Sequence, residues 1–192
     1  MNSVPKPKEQ KNVIILLSGG IDSAACVHYY LKEKFSPQAL FIDYGQASME
    51  KEYESAKKIA SYYNIKLDIV KVDTSNRFGQ GEIKGRNAFF IMVSLMKYST
   101  FFGLISLGIH AGGLYYDTTV EFVSDMKTLL DKYTDGRIRI DAPFLNWQKP
   151  MIYEYCRKNK VPIKLTYSCE LGTDPPCGQC RSCLDREILN VS

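Results

Sequence analysis

A chain of 192 residues is long enough for one packed domain with a small appendage. Its 25 Lys and Arg against 21 Asp and Glu leave a formal charge of +4, too small an excess to predict nucleic-acid binding from composition. No apolar run approaches the ~20 residues of a membrane span, and residues 1–12, polar and rich in Lys and Pro, lack the apolar core of a signal peptide, which predicts a disordered arm on a cytosolic protein.

Val13–Leu17 predicts a first strand and Asp22–Lys34 a first helix. Gln38–Tyr44 and Lys66–Val72 predict the next two strands, followed by helices over Ala47–Asn64 and Arg86–Phe102. Leu104–His110 predicts a strand, Thr119–Tyr133 a helix, Ile138–Asp141 a short strand and Pro150–Asn159 a last helix. Such alternation implies an α/β fold, a doubly wound parallel five-stranded sheet with helices on both faces. In the second helix Met49, Tyr53, Ala56, Ala60 and Tyr63 form a stripe that packs on the sheet. Phe89, Phe90, Ile91, Met92, Val93, Leu95 and Met96 leave the third helix so little polar relief that burial on all sides is expected. Open parallel sheets bind ligands beyond the carboxyl ends of their strands, so the residues after the first, second and fourth strands should share one crevice.

The segment after the first strand reads Ser18-Gly19-Gly20-Ile21-Asp22-Ser23. A glycine turn between a strand and a helix lets the backbone approach an anion, and the helix amides and flanking hydroxyls supply donors. No Lys-Ser/Thr pair follows, so the loop is not a Walker A motif. It resembles the Ser-Gly-Gly-x-Asp-Ser signature of the ATP pyrophosphatase (PP-loop) superfamily. That resemblance implies an adenine nucleotide α-hydrolase-like fold and ATP binding by Leu17, Ser18, Gly19, Gly20, Ile21, Asp22, Ser23, Asp43 and Tyr44. It also implies attack of a substrate oxygen on the α-phosphate.

Cys169, Cys177, Cys180 and Cys183 cluster among Pro175, Pro176 and Gly178, whose turns wrap a chain around a metal. Four thiolates suit a closed, structural zinc site, and an iron–sulfur cluster is the alternative. Cys26 and Cys156 fall on predicted helices and are read as core or surface residues, not nucleophiles, and His28 as a packed or surface residue. Residues 13–164 would then form the ATP-splitting domain and 165–192 a metal-binding tail.

Ser18–Ser23, Asp43-Tyr44-Gly45-Gln46, Gly85-Arg86-Asn87 with Phe90, and Thr166-Tyr167-Ser168-Cys169 followed by the remaining cysteines occur in one order. Together they resemble the QueC (7-cyano-7-deazaguanine synthase) family of queuosine biosynthesis. The resemblance implies ATP-dependent adenylation of 7-carboxy-7-deazaguanine, attack by ammonia, and a second adenylation and dehydration to the nitrile. It also implies Mg²⁺, one structural Zn²⁺ and, in many members, a homodimer. Ser18, Asp22, Ser23, Arg86 and Lys149 are the expected catalytic residues; Gln46, Arg86, Asn87, Phe90, His110, Asp117 and Glu121 are the expected substrate-binding residues. Three departures stand out: Ala47-Ser48 replaces an Arg-His pair, Thr118-Thr119 replaces Cys-Arg, and Thr74–Lys84 is short, which predicts a smaller lid. They spare the ATP loop and fall around the substrate, so a partner protein or nucleic acid could supply the amine, as in QueC-like proteins associated with antiviral defence. A tRNA thiolase and a non-catalytic ATP-binding zinc module are the other readings.

Overall fold

In the computed structural model, residues 11–73, 78, 81–110, 113 and 115–189 are described. Residues 1–10 of the expected arm, and residues 74–77, 79 and 80 of the expected lid, lie outside them. Five parallel strands, β1 (Asn12–Leu16), β2 (Ser36–Asp43), β3 (Leu67–Lys71), β4 (Gly103–Ser106) and β5 (Ile138–Asp141), pair in the order β3-β2-β1-β4-β5. Between them run α1 (Ile21–Lys32), α2 (Met49–Tyr62), α3 (Arg86–Lys97) and α4 (Val120–Thr134), and α5 (Lys149–Lys158) and α6 (Arg181–Ile188) follow.

Side-chain alternation in β1 assigns the helices to faces. Val13 and Ile15 point to the side where Val27 and Tyr30 of α1, Ile59 of α2 and Ile152 of α5 form a core with Phe41. Ile14 points to the other, with Leu40, Ile42, Ile105 and the Phe90 and Val93 side chains of α3. On that side Ile91 also meets Phe122, Met126 and Leu130 of α4. Each of the Lys34, Asn64, Asp135 and Lys160 backbones turns left-handed just after a helix and ends it. Among the described residues no helix is long and apolar enough to cross a membrane.

Three expectations need correction. The fourth strand stops at Ser106, not His110: Leu107 still donates to the Asp141 carbonyl at 3.1 Å, but Gly108 then passes over the start of α1. A β-carbon on Gly108 would lie 3.0 Å from the Ser23 nitrogen. The third helix ends at Lys97, not Phe102, and it is not buried all round: Phe89 is 38% and Met96 78% exposed, because sheet and α4 cover only one side of it. Lastly, α6 was not expected. Its eight residues follow the third cysteine directly, and the buried Cys180 and Cys183, three residues apart, share its inner face.

Candidate nucleotide and metal sites

The strand order reverses direction between β1 and β4, and a cavity of about 450 Å³ opens there beyond the carboxyl ends. Leu17, Ser18, Gly20, Ile21, Asp22 and Ser23 line one wall, Tyr44, Gln46 and Glu52 a second, and Arg86, Asn87 and Phe90 a third. His110 and Lys149 complete it, together with Tyr167, Arg181 and Arg186 of the tail.

At the loop the two hydroxyls meet: Ser18 donates to Ser23 Oγ at 3.3 Å, and Ser23 donates to the Gly20 carbonyl at 3.0 Å. The first-turn amides of α1 have no partner within the helix and carry the positive end of its dipole. The two glycines serve different ends. Gly19 (φ +86°) does not line the cavity; a β-carbon there would lie 2.5 Å from the Glu52 carbonyl and 2.9 Å from Ser55 Cβ, so its absence lets α2 close on the loop. Gly20 has an ordinary φ of −80° and room for a β-carbon, whose nearest contact is 3.5 Å from Ser18 Oγ, and it lines the cavity.

Asp22 lies at the start of α1 and Lys149 at the start of α5, two helices packed side by side. Lys149 Nζ reaches Asp22 Oδ2 at 2.5 Å, and His110 Nε2 lies 3.9 Å from the same oxygen. Asp22 Oδ1 is buried with no hydrogen-bond partner, an orphaned acceptor that suits a cation. Opposite, the Arg86 guanidinium stands 5.9 Å from the Phe90 ring centre and beside Tyr44, whose phenol is raised by burial while Arg86 opposes the rise.

Several expected site residues make contacts that shape the site. Gln46 lines the cavity as a buried strut: its Oε1 accepts from the Tyr44 amide at 3.0 Å, and its Nε2 donates to Ile42 O at 3.3 Å and Glu52 Oε2 at 3.1 Å. Asp43 accepts from the Gly45 amide at 3.2 Å and does not line the cavity. Asp117 caps α3, accepting from the Asn87 amide at 3.2 Å while its carbonyl takes the Asn87 side chain at 2.9 Å. Glu121 is exposed on the first turn of α4. Neither Asp117 nor Glu121 lines the cavity, because the turn at Tyr116–Thr118 is spent on closing the start of α3.

Glu52 was missed. It takes Ser48 Oγ at 2.8 Å as well as Gln46, and burial raises its carboxyl above the ordinary value against those bonds and the Arg86 charge. Only its place on the inner stripe of α2, facing the loop, could have flagged it.

In the tail, the four sulfurs of Cys169, Cys177, Cys180 and Cys183 all lie within 4.8 Å of one another. A tetrahedral ion with metal–sulfur bonds of about 2.3 Å needs sulfurs about 3.8 Å apart, and Cys177 and Cys183 stand at 3.9 Å. The Cys177 amide points at Cys169 Sγ and the Cys180 amide at Cys177 Sγ, both at 3.4 Å, as suits thiolates. Burial and neighbouring sulfurs push the Cys183 thiol up to about 12; at Cys169 burial is outweighed by donors from Cys177, Thr173 and Leu171, which bring it to about 5. Four sulfurs this close ionise together only around a cation. The tail is pinned to the loop: Tyr167 donates to the Gly19 carbonyl at 3.0 Å, and Ser55 Oγ donates to the Leu165 carbonyl. By contrast, Cys26 and Cys156 are fully buried on α1 and α5, and burial raises both thiols, that of Cys156 to about 12.

The family described as "Queuosine biosynthesis protein QueC" matches residues 12–83 and 81–188. A 7-cyano-7-deazaguanine synthase of Prochlorococcus marinus (strain NATL2A) is 32% identical over 93% of this chain and 92% of its own length. One from Picrophilus torridus is 31% identical over 90% and 84%. Among solved structures, the U34-tRNA thiolase NcsA of Methanococcus maripaludis superposes with a TM-score of 0.56 at 15% identity, covering 96% of this chain and 66% of that one. The NMN synthetase of Francisella tularensis gives 0.52 at 21%, covering 95% and 73%. At these identities the two structures speak for the fold.

Proposed function

The chain belongs to the QueC family, and we propose that it is an enzyme that uses ATP to activate the carboxyl group of 7-carboxy-7-deazaguanine for attack by an amine. The observation that carries the proposal is the meeting of the Ser18–Ser23 loop, the Asp22–Lys149 pair and Arg86 in one cavity. The curated relatives are named for a 7-deazaguanine product.

A carboxylate and a triphosphate repel each other, and their approach needs fixed positive charge and donors. Ser18, Ser23 and the α1 amides hold the β- and γ-phosphates, with the β-carbon-free face of Gly20 giving them access. Lys149 and Arg86 flank the α-phosphate and the substrate carboxylate. One carboxylate oxygen attacks the α-phosphorus, and the bond to pyrophosphate breaks. The amine then attacks the acyl carbon, the bond to AMP breaks, and His110, which lines the cavity, would take the proton the amine loses. Phe90 and Tyr44, 5.1 Å apart between ring centres, offer an aromatic wall for a flat base. Magnesium would be held at Asp22 Oδ1, where it supplies charge against the phosphates. Zinc would be held by the four tail cysteines; sulfurs within 4.8 Å leave room for one ion and not for a four-iron cage. Residues 13–164 are then the ATP-splitting unit and 165–192 the metal-held tail. A thiolase would need a reactive sulfur in the cavity, and neither Cys26 nor Cys156 lines it.

Incubation of the metal-loaded protein with Mg²⁺-ATP and 7-carboxy-7-deazaguanine should release AMP and pyrophosphate in proportion to acid consumed. Release of ADP, or AMP formation indifferent to the acid, would overturn the proposal. Mass spectrometry of the small-molecule and protein fractions distinguishes ammonia from a macromolecular amine as the acceptor.

A further inference from the structure

Arg186 is a half-buried guanidinium with one neutral partner. Its Nη1 donates to Thr166 Oγ1 at 2.9 Å, and among the described residues it has no carboxylate within ion-pair distance. A guanidinium carries five donors and Thr166 takes one, so the others face the cavity with room for a ligand. Arg186 lines the same cavity as Ser18, Gly20 and Ser23, with Arg181 on the same helix at the rim. The cavity's other cations are differently engaged: Lys149 already faces Asp22 at 2.5 Å, and Arg86 stands across the cavity over Phe90. ATP brings about four negative charges to a loop whose own side chains, Ser18, Ser23 and Asp22, include no cation. The tail is held where it can supply one, since α6 follows Cys180, Ser182 is fixed by Glu170 at 3.0 Å, and Tyr167 donates to the Gly19 carbonyl.

Resting on the ATP-splitting activity proposed above, we infer that Arg186, assisted by Arg181, binds the β- and γ-phosphates of ATP and the departing pyrophosphate, so that the cysteine-held tail forms the outer wall of the nucleotide site. The guanidinium fork matches two phosphate oxygens at once. No bond is made or broken at Arg186; it is a binding residue.

The test uses the full, metal-loaded chain. Arg186→Gln removes the charge and retains a donor for Thr166. Affinities for Mg²⁺-ATP, pyrophosphate and AMP are measured by calorimetry, with metal content checked for each variant. ATP and pyrophosphate should bind at least tenfold more weakly to Arg186→Gln and several-fold more weakly to Arg181→Met, while AMP changes less than twofold. A merely structural Arg186 would weaken all three ligands equally or none of them. A metal-loaded Arg186→Gln protein that binds ATP within twofold of wild type overturns the inference and leaves the proposed activity standing, whereas a wild-type protein that fails to bind ATP overturns that activity itself. If Arg186→Gln does not fold, hydrogen exchange of the wild type decides: pyrophosphate should slow the amides of Arg181–Ile188, and unchanged exchange there refutes the role.

Discussion

Replacing each loop glycine by alanine separates what the fold requires from what the ligand requires. At Gly19 the added methyl group would meet backbone, the Glu52 carbonyl at 2.5 Å, and the φ of +86° is unfavourable for any side chain. Left-handed strain of about 1–2 kcal/mol and overpacking of about 1–3 kcal/mol together predict a loss of roughly 2–5 kcal/mol. For a chain of this size that corresponds to a fall in Tm of about 4–20 °C. At Gly20 the φ of −80° is ordinary and the nearest contact is 3.5 Å, so Gly20→Ala should stay within about 1 kcal/mol of wild type. Its methyl group would instead stand in the cavity, where phosphate must approach the backbone, and ATP affinity should fall at least tenfold. Thermal melts and ATP titrations of the two variants check this. A Gly20→Ala protein that melts like Gly19→Ala, or one that binds ATP like wild type, refutes the division of roles.

Lys149→Met should abolish AMP formation and destabilise by about 1–3 kcal/mol, between the values for surface and buried pairs, because it strands Asp22; Asp22→Asn combined with it should restore stability but not turnover, as denaturant titration and product assay would show. Metal removal under native conditions should expose Cys169, Cys177, Cys180 and Cys183 to iodoacetamide while Cys26 and Cys156 stay protected, giving four adducts by intact mass and not six. Before metal removal the protein should hold one zinc without visible absorbance, and a brown protein would contradict the single-ion site. Burial raises the Glu52 carboxyl above its unfolded value, so its stabilising contribution is complete below the ordinary value of 4.5 and is lost as pH rises through the raised folded value. Glu52→Gln should therefore flatten the dependence of unfolding free energy on pH over that window, and an unchanged slope would show that Glu52 is not the group responsible.

Strands, helix order and the position of the crevice were legible because they depend on local periodicity and on one topological rule: ligands sit where a parallel sheet reverses its winding. The ATP loop was legible because its residue types answer to one another over six positions. What escaped depends on contacts between segments far apart in sequence. Asp117 reads as a substrate-binding residue in a motif, but its Oδ2 accepts from the Asn87 amide thirty positions earlier and it does not line the cavity. Glu52 reads as one acid among several on a polar helix face, and becomes significant only where α2 turns it inward beside Gln46. The apolar third helix misled for a related reason, since composition tells how much apolar surface a helix has and not how many neighbours will cover it; Met96 is left largely exposed and Phe89 partly so.

Gly19 shows how these distant contacts converge. Its missing side chain admits α2, its carbonyl accepts from the Tyr167 amide of the tail with Ser55 Oγ of α2 only 3.2 Å away, and the residue after it opens the helix whose amides face the cavity. Loop, α2 and tail therefore share one set of contacts at the edge of the cavity. Ala47 and Ser48, which stand where the family pattern has an Arg-His pair, lie against Gly172 of the tail, whose β-carbon would come within 2.6 Å of the Ala47 carbonyl. Long side chains at 47 and 48 would have to share that space with the tail. Arg181 and Arg186, carried on the tail that the small residues admit, line the same cavity as Ser48. A chain in which Arg is restored at position 47 should therefore not regain charge at the substrate without loosening α6, and faster hydrogen exchange in Arg181–Ile188 of Ala47→Arg, alongside weaker pyrophosphate binding, is the expected sign of that exchange.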